Sequence, residues 1–93
     1  MSYIDSSSCE KGITEASMTK LEEVLKNRGY RVVKTKLQIN ATLNSFWASK
    51  TSTVTITDCG NYRSCEDIET AKGLLVRPNS GVLASIIAEA EAE

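Results

Sequence analysis

The run Thr53-Val54-Thr55-Ile56-Thr57 constrains the fold more than any other stretch of this chain. Side chains of an extended backbone point alternately to opposite sides, so Val54 and Ile56 share one face and the threonines the other. A strand with one apolar and one hydroxyl face belongs in an antiparallel sheet that is covered on one side and solvated on the other. The rest of the chain must therefore supply at least one partner strand and a covering layer. With 93 residues there is material for one core, which predicts a single domain over 1–93 with an irregular or flexible segment at 1–12.

The covering layer is readable at two places. Met18, Leu21, Val24 and Leu25 recur at helical spacing, with Glu15, Lys20, Glu22, Glu23 and Lys26 on the other side. This predicts a helix at about 15–28, capped by Thr14 or Ser17 and closed by Asn27-Arg28-Gly29, where glycine takes the left-handed conformation cheaply. Val82, Leu83, Ile86, Ile87 and Ala90 predict a terminal helix over Val82–Ala92.

Further strands come from parity. In Tyr30–Asn40, Val33, Leu37 and Ile39 share one parity and Lys34, Lys36, Gln38 and Asn40 the other, which predicts one strand with a wet, cationic face. Phe46 and Trp47 are adjacent, so an extended chain sends one in and one out. Asp58-Cys59-Gly60-Asn61 supplies turn chemistry. Ser64-Cys65-Glu66-Asp67 has capping-box spacing, and Ile68, Ala71 and Leu74 or Leu75 align on one helical side, predicting a short helix at 65–72. A brief strand at Leu74–Val76 and a turn at Arg77–Gly81 complete the order. The expected fold is α+β: an N-terminal helix, a two- to three-stranded antiparallel sheet, a short helix, and a C-terminal helix packed on the same sheet face.

The composition narrows the function. Histidine is absent, which removes the commonest general base and metal ligand. Cys9, Cys59 and Cys65 form neither a CxxC pair nor an even-numbered disulfide framework, so a reducing cytoplasm is the expected compartment. The polar, mildly acidic start lacks the features of a signal peptide, and the longest apolar stretches fall short of the roughly 20 residues a membrane span needs. Five separated glycines make no phosphate loop. No catalytic residue, metal or cofactor is expected, which leaves binding.

Charge is unevenly placed. Residues 1–23 and 58–93 are net acidic, whereas residues 24–57 carry Lys26, Arg28, Arg31, Lys34, Lys36 and Lys50 with no acid among them. A cationic sheet surface beside an exposed aromatic suits a binding face, with Arg31, Lys34, Lys36, Trp47 and Lys50 as candidates. The same features also suit a solvated face that discourages aggregation, with Trp47 as a core anchor. Glu66, Asp67 and Glu69 form a second candidate, an acidic patch for a basic partner, or else simply the favoured charge at a helix start.

The expected helix–sheet–helix order resembles the double-stranded-RNA-binding domains. Those domains open their last helix with lysines, and Asn79-Ser80-Gly81-Val82-Leu83-Ala84 has no cation. The short chain, acidic at both ends, also resembles the small phage- and mobile-element-encoded inhibitors of host defence typified by anti-CRISPR proteins, and Ser49–Asp58 is similar to a strand in small phage reading frames. That resemblance implies inhibition by occupation: docking on a larger nucleic-acid-handling protein complex, without turnover. Two other readings stay open, a small nucleic-acid-binding module using the cationic strands, and a self-associating subunit such as a homodimer that pairs exposed strands or the Val82–Ala90 stripe.

Overall fold

The computed structural model describes residues 10–45, 50–71, 76–77 and 82–92. The class is α+β. Among the described residues, six strands and two helices follow one another as β1 (Glu10–Thr14), α1 (Met18–Asn27), β2 (Arg31–Lys34), β3 (Gln38–Ser45), β4 (Lys50–Asp58), β5 (Arg63–Ala71), β6 (Val76–Arg77) and α2 (Val82–Glu91). The strands form one antiparallel sheet in the order β1-β5-β4-β3-β2, with β6 pairing β5 beyond the end of β1. Among the described residues, no helix is long and apolar enough to cross a membrane.

Strand β4 organises the sheet as its alternation requires. Val54 and Ile56 are fully buried and stand opposite Ala41 and Ile39 of β3, while Cys65 of β5 stands opposite Ile56. Helix α1 contributes Leu21, Val24 and Leu25 to this core, and α2 contributes Leu83, Ile86 and Ala90. Both helices lie over the same sheet face, as expected.

Helix α1 begins where Ser17 Oγ accepts from the Lys20 N–H at 3.1 Å. It ends with Gly29 at φ +92°, the Gly29 N–H bonding Lys26 O and the Tyr30 N–H bonding Leu25 O, a paired closure that satisfies two terminal carbonyls. The expected boundaries thus shorten to 18–27, with Ser17 as the cap. Thr14, the other expected cap, is instead the last residue of β1, where its hydroxyl accepts from the Ala16 N–H and donates to Glu91 of α2.

Four expectations are corrected. The short helix at 65–72 is strand β5, paired with β4 over Arg63–Ala71 and with β1 over Arg63–Asp67. The sheet consequently has more than the two or three strands expected. The single strand at Tyr30–Asn40 is two strands folded back at Thr35–Leu37, where the Thr35 N–H bonds Gln38 O at 2.8 Å. This reversal inverts the parity of β2, so Val33 stands opposite Asn40 on the solvent face and is 58% exposed. Finally, Glu10–Gly12, expected to be irregular, open β1. The brief strand expected at Leu74–Val76 is represented by Val76–Arg77, while Leu74 and Leu75, with Phe46 and Trp47, lie outside the described residues.

Candidate functional site

The sheet face turned away from the helices is largely polar across β3 and β4, and much of it is satisfied by its own neighbours. Directly opposed residues of β3 and β4 bond across the strands: Thr51 to Asn44 at 3.0 Å, Thr55 to Asn40 at 3.4 Å and Gln38 to Thr57 at 3.4 Å. On β1 and β5, Lys11 Nζ lies 3.8 Å from Glu66 Oε2. The middle of this face therefore presents a hydrogen-bonded lattice rather than a row of free cations.

The candidate cations gather at one margin. Arg31 opens β2 opposite Thr42, on the solvent face, and is exposed. Lys34 closes β2 opposite the buried Ile39, and its Nζ lies 3.5 Å from Glu22 Oε1 of α1. Lys36 is exposed in the turn that follows. Glu22 is shared, since Lys26 Nζ approaches its other oxygen at 3.1 Å. The hydrogen bond from Lys26, reinforced by the charge of Lys26 and then of Lys34, holds the Glu22 carboxyl below the ordinary carboxylate range against a partly opposing desolvation.

Two exposed apolar residues lie among these cations. Val33 is 58% exposed and Leu37, in the turn, 62%. Parity in the sequence assigned both to the interior, and only the reversal at Thr35–Leu37 brings them out. No signal in the sequence marks that reversal, because the turn contains neither glycine nor proline.

The other candidates do not join this margin. Of the same cationic stretch, Lys26 lies on α1 and reaches the margin only through the Glu22 it shares with Lys34, while Arg28, at the end of α1, forks onto Glu89 Oε1 at 2.7 Å and Ser85 Oγ at 2.8 Å of α2. Lys50 begins β4 opposite Ser45 and Ala71, and its side chain and Trp47 lie outside the description. The acidic patch is divided by the strand geometry of β5. Glu66 faces solvent beside Lys11, whereas Asp67 stands opposite Val54 and is fully buried. Glu69 has the parity of Asp67, on the helix side opposite Ser52. Asp67 therefore leaves the set of surface residues.

Beneath the helices, burial shapes the titrating groups. Burial first, and then the Glu91 charge, push the Cys65 thiol up to about 11. Burial, with Asp67 next, raises the Tyr30 phenol above its ordinary value. A buried thiol that stays protonated at neutral pH is a poor nucleophile. At the opposite sheet margin, β1 and α2 flank a groove of about 280 Å³ whose lining includes apolar Ile13, Leu83 and Ile87 together with the charged Lys11 and Glu91. No family model matches the chain, and no curated protein or solved structure matches it significantly.

Proposed function

We propose that this chain is a non-enzymatic binding protein that docks on a larger nucleic-acid-handling protein complex and inhibits it by occupation, as anti-CRISPR proteins do. The observation that carries the binding reading is the β2 margin, where exposed Val33 and Leu37 sit among Arg31, Lys34 and Lys36. Apolar groups rimmed by cations suit a protein surface, which supplies both burial and carboxylates. A single-stranded nucleic acid would instead be served by cations and stacking aromatics along the middle of the sheet, where Thr, Asn and Gln bond one another.

Affinity capture with the tagged chain, with and without nuclease, followed by reconstitution with the purified captured complex, tests this. The reading expects nuclease-resistant capture and loss of that complex's activity. Nuclease-sensitive capture, with affinity for free oligonucleotide falling linearly in log–log form with salt, would replace it by the nucleic-acid-binding alternative. The groove between β1 and α2 supports self-association as a second reading, because among the described residues β1 pairs only with β5, and a strand edge beside apolar side chains can pair with another copy. A mass that rises with concentration in sedimentation would establish it.

A further inference from the structure

Strand β2 is the last in the sheet, and among the described residues only β3 pairs with it. The direction of its open hydrogen-bonding groups follows from the turn. Thr35 donates its N–H to Gln38 O, and antiparallel neighbours alternate between bonded and non-bonded pairs. Val33 with Asn40 and Arg31 with Thr42 are then the bonded pairs, and Val32 and Lys34 aim their N–H and C=O groups outward. This edge offers a short row of main-chain donors and acceptors to an incoming strand.

The side chains beside that row select what could lie there. On the solvent face stand Arg31 and Val33, on the helix side Val32 and Lys34, and beyond them Lys36 and Leu37 in the turn. Val33 and Leu37 are more than half exposed. Among the described residues, the one acid recorded against these cations is Glu22, which Lys26 also engages. The margin therefore has an excess of positive charge around two apolar contacts and an open strand edge.

We infer that the β2 edge is the docking site of an acidic, extended segment of a partner protein, which adds to the sheet as a further strand, its carboxylates meeting Lys34, its apolar residues covering Val33 and Leu37, and its ends drawn by the charges of Arg31 and Lys36. This rests on the binding-protein reading and names the chemistry of its partner. Main-chain bonding gives the segment its extended form, and alternation gives it one carboxylate face and one apolar face. Such a segment turns its carboxylates toward Lys34 on the helix side and its apolar side chains toward Val33 on the solvent side. Arg31 and Lys36 attract it at the two ends.

The probe is a capped seven-residue peptide of alternating Glu and Val, titrated into the isotope-labelled full chain while amide shifts are recorded. The expected result is saturable binding with the largest shifts at Arg31–Lys34 and Lys36–Leu37, and none from the same peptide with Lys in place of Glu. The pair Arg31→Glu and Lys36→Glu should weaken it by at least about tenfold, as charge reversal at a complementary surface does. Lys34→Gln removes one charge, whereas Lys34→Pro also removes an outward N–H that β3 does not use, and should weaken binding several-fold further while preserving the spectrum of the remaining sheet. Equal affinity of these two variants would overturn strand addition. Absence of shifts at β2, while the captured complex is still bound, would overturn the edge inference and leave the binding function standing. Loss of both would remove the function as well. Peptide binding at the β1–α2 groove, binding of single-stranded oligonucleotide at β2, or a concentration-dependent shift at β2 without peptide would each overturn it in favour of another occupant.

Discussion

Cys65 shows how one buried side chain ties stability to pH. Its folded pKa, about 11, lies above its ordinary 9.0. Between these values the unfolded chain releases a proton that the folded chain keeps, so the contribution is complete below about pH 9 and is lost as pH rises toward 11. Urea denaturation from pH 8 to 11 should show stability falling more steeply in the parent than in Cys65→Ala. Thiol titration of the native protein at pH 8 should label exposed Cys59 and spare Cys65 until unfolding. Gly12 illustrates packing at the same scale. A Cβ placed there would sit 2.7 Å from Ile87 Cδ1, the mobile end of a side chain. Gly12→Ala should therefore cost less than about 1 kcal/mol, and Gly12→Val, which adds branching against α2, about 1–3 kcal/mol, by denaturant midpoint.

Elements were legible where their pattern was uninterrupted. Strand β4 could be read from Thr53–Thr57 because every inward residue is apolar and every outward one a hydroxyl. Helix α1 could be read from its apolar spacing and Gly29. Strand β5 could not, because the inward positions Cys65, Asp67 and Glu69 include two acids, which hides the period of two, while Ser64–Asp67 imitates a helix start. Pairing with β1 and β4 on either side overrides that local signal. Strand β1 is obscured for a related reason, since its helix-facing residues Gly12 and Thr14 carry no large apolar group. Of the β2 margin, the cations were legible and their exposed apolar companions were not. The caps of α1 can be weighed separately: Ser17→Ala should cost about 1 kcal/mol through the lost bond to Lys20, and Gly29→Ala a similar amount through strain at φ +92°. Both should appear as lowered thermal midpoints without a change in the sheet's spectrum.

At the scale of the whole molecule, the two helices are joined to each other as well as to the sheet. Arg28 spans from the end of α1 to Ser85 and Glu89 of α2, and Thr14 reaches Glu91, so the C-terminal helix is held at both its neighbours. Being partly exposed and so screened by solvent, the Arg28–Glu89 pair should be worth about 1 kcal/mol or less, and Arg28→Met should change the urea midpoint correspondingly little. A different connection runs along the sheet. The Asp58 N–H donates to Leu37 O at 2.8 Å, which fastens the tip of the β2–β3 hairpin to the end of β4. In heavy water the Asp58 amide should consequently trade its proton slowly, and a ligand clasping the β2 edge should slow that clock again, making a strand two places away the remote witness of occupancy.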